Sequence, residues 1–398
     1  MISFEPSEDQ KLMHGSVTDF AATLRPRIRD FEQARGLPDD VRKTAFELGL
    51  GMAGLPEAMG GSGLPLATVV MIEEALAYGD SAAPFALPGP GALGTALAEL
   101  AGDAQAKAAL DALQGPDRFG AVAWGEPKAH PTRPGLVTLA KKAGDGWTLS
   151  GKKAYVTNAD RADRFVVFAQ VDEAAGWGGL GAFLVSKGAG VTIGPRSKTL
   201  GLDAASFGSI ELADAKAERL DKHSDPKAFA AATARFFATE ALKVAARCVG
   251  LSQAAFDVTR EYVEARKAFG KPIGHFQAIA FTLADRAMDV EAARGLVWRA
   301  ASLWDQGQEN DALAASAQAI AFAKEAAMRC GDDAVQLHGG SGFIRDYPVE
   351  KWMRDAKQLQ LCVMTSSQAD QLAAAVELGL PIDLGAVLPT AETQPAFV

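Results

Sequence analysis

The chain has 398 residues, 48% hydrophobic and 22% charged, the proportions of a folded globular protein rather than a disordered one. At ~150 residues per domain it has room for two or three domains and a large core. Forty Lys and Arg against 49 Asp and Glu give a net charge of −9, which argues against a surface that neutralises nucleic-acid phosphates.

The opening stretch, MISFEPSEDQ, carries acids early and lacks a basic segment followed by an apolar one, so no signal peptide is expected. The apolar run 67–72 stops at Glu73 and Glu74, far short of the ~20 residues that span a bilayer. Cys248, Cys330 and Cys362 are isolated, and the five histidines are scattered without a His-x-x-x-His pair. Neither a disulfide framework nor a metal site is expected, and a reducing cytoplasmic setting fits.

Residues 1–117 read as a helical domain, with apolar residues at three- and four-residue spacing over 10–31 and 67–78 and an Ala/Leu-rich helix over 92–113. Pro38 sits where a first turn begins; 60–63 is a glycine loop and 83–91 a Pro/Gly-rich passage. A central β domain follows over 118–218. Its short β-branched and aromatic runs at 119–124, 136–139, 147–157, 165–171, 182–185 and 207–212 have the spacing of an antiparallel barrel or sandwich. The charged stretch 216–226 reads as the exit linker. Long amphipathic stretches at 228–265, 276–306, 311–336 and 365–378 then make a C-terminal helical bundle over 227–380, and 381–398 reads as an extended tail. The order helical, β, helical has no βαβ alternation and excludes a Rossmann fold as the main architecture.

Two patterns carry less than they promise. Residues 89–94 satisfy G-x-G-x-x-G, but Pro84 and Pro88 precede them where a strand should stand, so they read as a loop. Ser62 and Ser341 lie in Gly-Gly-Ser-Gly runs whose spacing is wrong for a nucleophile elbow.

Two C-terminal segments hold more. The first is Arg266-Lys267-Ala268-Phe269-Gly270-Lys271-Pro272, leading to His275-Phe276-Gln277, a cationic, glycine-broken turn between long helices. The second is Gln336-Leu337-His338-Gly339-Gly340-Ser341-Gly342-Phe343, followed by Arg354-Asp355-Ala356-Lys357. An Arg at a helix end can grip a pyrophosphate with its planar fork, and a double glycine admits a ligand close to backbone. The same residues serve equally well as a capped turn and a glycine C-cap.

These segments resemble the acyl-CoA dehydrogenase family, and so does the rest of the chain. Leu55-Pro56-Glu57 with Gly60, Gly61 and Gly63 is similar to the family's N-terminal motif, and Glu126-Pro127 to its Thr-Glu-Pro, with Gly125 for the Thr. Trp147-x-Leu149-x-Gly151-x-Lys153, then Tyr155-Val156-Thr157-Asn158-Ala159, match its central motif. The resemblance implies an N-terminal helical domain, a central β domain and a C-terminal four-helix bundle, with bound FAD. It implies a homo-oligomer, dimer or tetramer, with a hetero-oligomer as the other form. Arg266, Phe269 and Gln277 are implied to reach the adenine-side half of an FAD shared with a neighbouring subunit, with Gln336 and Gly340 lining the same groove. Tyr155, Thr157 and Thr365 take flavin-contacting positions.

The implied reaction is α,β-dehydrogenation of an acyl-CoA thioester to the trans-2-enoyl-CoA, with an electron-transferring flavoprotein as electron acceptor. It needs a carboxylate to take the α-proton in a dry pocket. At the usual position, counted from Arg354-Asp355-Ala356-Lys357, this chain has Val363, which cannot accept a proton. Isovaleryl- and long-chain members take their Glu from the preceding helix instead, and the matching residue, ten before Gly250, is Glu240. Residues 128–132 and 198–205 depart from the family pattern, and Ala241 stands where an Arg usually follows the helix-borne Glu. Two other readings suit such departures: a flavin monooxygenase or oxidase on the same fold, or a non-catalytic partner subunit of a hetero-oligomer.

Overall fold

The computed structural model describes residues 7–380 and Gly385. The tail expected over 381–398 otherwise lies outside the described residues. Ser7 opens α1 (Glu8–Leu24) with a capping box: its hydroxyl accepts from Gln10 N, and the Gln10 side chain returns to Ser7 N. The single helix expected over 10–31 is two, because Pro26 lacks a backbone donor and the chain takes a 3-10 turn at Arg25–Arg27 before α2 (Ile28–Ala34). α3 (Asp39–Glu47) starts directly after Pro38. α4 (Leu66–Gly79), the one-turn α5 (Ala83–Ala86), α6 (Ala92–Leu100) and α7 (Asp103–Asp111) complete the helical region. Of the stretch 89–94, residues 89–91 form a loop, and 92–94, expected as loop, are instead the first turn of α6, with Gly91 as its N-cap.

Seven strands follow: β1 (Gly120–Ala123), β2 (Leu139–Ala143), β3 (Gly146–Thr157), β4 (Arg164–Gln170), β5 (Leu180–Ser186), β6 (Val191–Ile193) and β7 (Phe207–Arg219). β4, β2, β3, β7 and β5 are neighbours in that order, and β5 returns to β4, so the sheet closes on itself; β1 joins β4 and β6 joins β7. Most pairings are antiparallel, while β1–β4 and the single β2–β4 contact are parallel. The strand expected at 136–139 sits further on, because side chains claim the backbone donors there: Leu136 N bonds Gln170 Oε1, and Val137 N and Thr138 N bond Glu126. Residues 216–219 are strand rather than linker. Ala217, Glu218 and Arg219 pair with Val185, Leu184 and Phe183, so the charges there are exposed residues of a strand.

Asp225 caps α8 (Pro226–Ala265), its carboxylate accepting from Ala228 N at 2.8 Å with Pro226 in the first turn. A small hairpin, β8 (Lys267–Ala268) and β9 (Lys271–Pro272), leads to α9 (Gln277–Asp305) and α10 (Glu309–His338). α8, α9 and α10 pack on one another, α12 (Ser366–Glu377) lies on α10, and α4 lies across α8. α11 (Val349–Leu359), a helix not among those expected above, packs on α10 with Lys351 and Asp355 among its buried residues. Gly250 permits the α4–α8 approach, since a Cβ there would stand 2.1 Å from Glu74 O.

A shared core ties the regions together. Phe236 and Phe237 of α8 meet Phe168 of β4 with ring centroids 6.1 and 5.4 Å apart, and Trp124 stands edge-on to Phe237. A buried polar knot does the same by hydrogen bonds: Asp355 accepts from Lys351 Nζ and Ser81 Oγ, both at 2.6 Å, and from Leu202 N at 2.6 Å. The 80–81 turn, the β-domain loop and α11 are thereby fixed to one carboxylate.

Candidate active site

Strand β3 sets the geometry. Lys153 is fully buried, donating to Glu126 Oε1 at 2.8 Å and to Trp124 O at 3.1 Å. Burial alone would raise the Glu126 carboxyl; the Lys153 charge and the bonds from Lys153, Thr138 and Val137 outweigh it and hold the group below the usual carboxylate range. Directly beyond this anchor the β3–β7 register shifts, between Lys153 and Val156. Tyr155 takes φ +55° in that irregularity and stands 75% exposed. Such a bulge re-aims a side chain that a regular strand would keep in the pleat.

Tyr155 and Thr157 line an open, mainly apolar cavity of ≈ 250 Å³ with Trp124, Leu200, Phe207 and Val363. A second, more enclosed cavity of ≈ 210 Å³ lies between α4, α6, β1 and α8. Phe85, Trp124, Thr157 and Val363 belong to the walls of both, so the two adjoin. Glu240 lines the second cavity at 6% exposure, its Oε1 ion-paired with Lys243 Nζ. Sequence reading had no means of placing the other charges there: Glu73, from α4, holds Arg247, which also lies over the Phe85 ring at 4.2 Å. Val363 adopts φ +61°.

A third feature is a groove of ≈ 380 Å³ between the end of α8, the start of α9 and the end of α10. Arg266, Gln336 and Gly340 line it together. A Cβ on Gly339 or Gly340 would meet nothing within 4 Å, so the backbone there is open to a close ligand. His338 also lines it; its Nδ1 pairs with Ala334 O at 2.8 Å, leaving Nε2 buried without a partner among the described residues. Phe269 projects from the adjacent hairpin at 96% exposure, and Gln277 begins α9 beside it. Thr365 stands apart from all three features: its hydroxyl caps α12, accepting from Gln368 N at 3.2 Å.

These observations fit a dinucleotide flavin. An exposed tyrosine beside an apolar cavity suits a planar ring system, and an Arg with a glycine cradle and an orphaned imidazole nitrogen suits a phosphate-bearing nucleotide.

Comparison with known proteins agrees. Residues 7–114, 121–215 and 229–362 match the profiles described as Acyl-CoA dehydrogenase, N-terminal domain, middle domain and C-terminal domain. The chain is 33% identical over 363 residues, 90% of this chain and 92% of the relative, to the "Probable acyl-CoA dehydrogenase FadE25" of Mycobacterium tuberculosis. It is 31% identical over 364 residues to the "Caffeyl-CoA reductase-Etf complex subunit CarC" of Acetobacterium woodii, covering 90% and 96% of the two chains. The structure of butyryl-CoA dehydrogenase from Megasphaera elsdenii superposes with a TM-score of 0.86 at 29% identity, over 95% of this chain and 100% of that one. The chain therefore belongs to the acyl-CoA dehydrogenase family, FAD-dependent oxidoreductases acting on CH–CH bonds.

Proposed function

We propose that this chain converts an acyl-CoA thioester to its trans-2-enoyl-CoA with Glu240 as the base. The observation that carries this reading is the burial of Glu240 on the wall of a cavity that adjoins the Tyr155 cavity, with Val363 where the usual base would stand. Tyr155 and Thr157 hold the reactive ring of FAD, while Arg266, Phe269, Gln277, Gln336 and Gly340 hold its nucleotide half, with Thr365 at the periphery. When bound, FAD supplies the acceptor for the β-hydride. Glu240 takes the α-proton on a carboxylate oxygen, and Lys243 balances its charge before transfer. Phe85, Trp124 and Val363 keep water from the reacting carbons.

The exposed Phe269 and the open groove beside it support a nucleotide site completed by another subunit, so we place the enzyme as a homo-oligomer, dimer or tetramer. An electron-transferring flavoprotein is the proposed electron acceptor, on the similarity to the CarC subunit. No described helix is long and apolar enough to cross a membrane, and the three free thiols suit a reducing cytoplasm.

Anaerobic titration of the FAD-loaded protein with a panel of acyl-CoAs tests this. Glu240→Gln should retain FAD and lose about 10²- to 10⁴-fold in the rate of flavin bleaching. Undiminished bleaching in that variant would remove Glu240 as the base.

A further inference from the structure

The Glu240 cavity is not the plain hydrocarbon slot that a saturated acyl chain requires. Glu240, Lys243 and Arg247 line it from α8, Glu73 from α4 and Thr95 from α6. Arg247 donates through Nε and Nη2 to the two oxygens of Glu73 at 2.7 and 3.1 Å. Lys243 contacts Glu240 and donates to Thr95 Oγ1 at 3.2 Å. Replacing a buried ion pair by apolar side chains of equal volume is often neutral or stabilising, so two such pairs lining one cavity are poorly explained by stability alone. They are equally costly neighbours for methylene groups, which offer charges no hydrogen bonds.

The pairs also leave unused capacity. Arg247 Nη1 has no hydrogen-bond partner among the described residues, and Lys243 turns two of its three donors to Thr95 and Glu240, which leaves one. Spare donors facing a cavity select an oxygen acceptor. Charge refines the choice. The two cations and two anions cancel, so a carboxylate on the ligand would enter as an uncompensated buried charge, whereas a hydroxyl or carbonyl brings only a dipole. Glu240 and Arg247 are seven residues apart on one helix, about 10 Å along its axis.

We infer that the acyl group oxidised here carries a neutral oxygen, a hydroxyl or keto group, within about 10 Å of the carbon that Glu240 deprotonates, and that Arg247 and Lys243 recognise it. The inference rests on the acyl-CoA reading above. Hydrogen bonds to charged groups of this kind should favour the oxygenated substrate about 10- to 100-fold in kcat/KM over its plain counterpart.

The test uses the FAD-loaded enzyme with octanoyl-CoA, its hydroxy- and keto-octanoyl counterparts substituted at carbons 5 to 7, and the eight-carbon dicarboxylic monothioester. Flavin bleaching gives kcat/KM and calorimetry gives binding. The inference expects the hydroxy or keto chains to lead, and the Arg247→Met/Glu73→Leu variant to collapse their advantage toward one. Lys243→Met, which spares the Glu73–Arg247 pair, is read in the same ratio should the double variant fail to fold. If octanoyl-CoA is bleached as well as the oxygenated chains, the dehydrogenase reading stands and the oxygen subsite is overturned. A preference for the dicarboxylic substrate overturns it equally. If no thioester bleaches or binds, the acyl-CoA reading fails, and calorimetry with the free hydroxy- and keto-octanoic acids decides the subsite. Binding that the variants abolish supports it, and no binding overturns it.

Discussion

Lys153 should be the most consequential single residue outside the cavities. Its ammonium is fully buried, bound to Glu126 and Trp124 O, and no other cation pairs with Glu126 among the described residues. Lys153→Met keeps the aliphatic volume but leaves a carboxylate, 6% exposed in its side chain, held only by the amides of Val137 and Thr138. Stranding a buried charge in this way costs about 3–5 kcal/mol. With ~2.1 cal/mol/K of unfolding entropy per residue over 398 residues, the whole chain has about 0.84 kcal/mol/K. Lys153→Met should then lower Tm by about 4–6 °C, and by more if the β region melts separately. Because β3 delivers Tyr155 and Thr157 immediately after this residue, FAD content should fall with it. The companion variant Glu126→Gln/Lys153→Met removes both charges and should recover most of the loss, measured by thermal unfolding at matched pH and FAD. A Tm drop below about 1 °C in Lys153→Met, or a double variant as unstable as the sum of the singles, would refute the anchoring role.

Three further outcomes follow from the same geometry. Burial lowers the Lys324 ammonium from 10.5 to about 8. Between those values the unfolded chain binds more protons than the native one, so stability should rise with pH across that window by about 3 kcal/mol at most; denaturant midpoints at pH 8 to 10 should show the rise in wild type and not in Lys324→Met. Gly250→Ala would usually strengthen a helix, but its Cβ would stand 2.1 Å from Glu74 O, so it should destabilise by about 1–3 kcal/mol in the same assay. Arg266→Ala should release FAD on dilution, read by fluorescence of the freed flavin, while far-UV dichroism stays unchanged.

The fold was legible because each region keeps one texture: β-branched runs between glycine-marked turns in the middle, apolar residues at helical spacing on either side. What escaped was controlled by contacts between distant residues. Lys351 and Asp355 are charged residues of a kind rarely buried alone, yet they are buried here, where Asp80 and Ser81, more than 260 positions earlier, complete their bonding. The second strand slipped because Glu126 and Gln170 took the amides at 136–138, a competition that β propensity does not encode. The polar lining of the Glu240 cavity escaped for the same reason, since Glu73 and Arg247 are 174 positions apart. Several residues that carry the family resemblance, namely Glu126, Lys153, Arg354 and Asp355, act as struts between regions. Arg354, for example, pairs with Glu350 and Glu32 and donates to Leu200 O.

That division bears on the base. Val363 lines both cavities and takes φ +61°, a conformation that disfavours β-branched side chains and costs about 1–3 kcal/mol. The loop holds this shape because Lys324 donates to the carbonyls on either side, Cys362 O at 2.7 Å and Met364 O. A side chain strained there by its own branching suggests a backbone shaped for a different residue. Val363→Glu removes the β-branch, keeps Cβ in place and puts a carboxylate on a residue that lines the same cavity as Glu240. In wild type the added acid would share the cavity with Glu240, and repulsion would keep one of the two protonated. In Glu240→Gln it would be the only new acceptor, so Glu240→Gln/Val363→Glu should bleach flavin at least about tenfold faster than Glu240→Gln alone. An FAD-loaded double variant no faster than the single one would show that the two positions do not reach the same proton, and that α8 and the Lys324 loop are not alternative supports for one base.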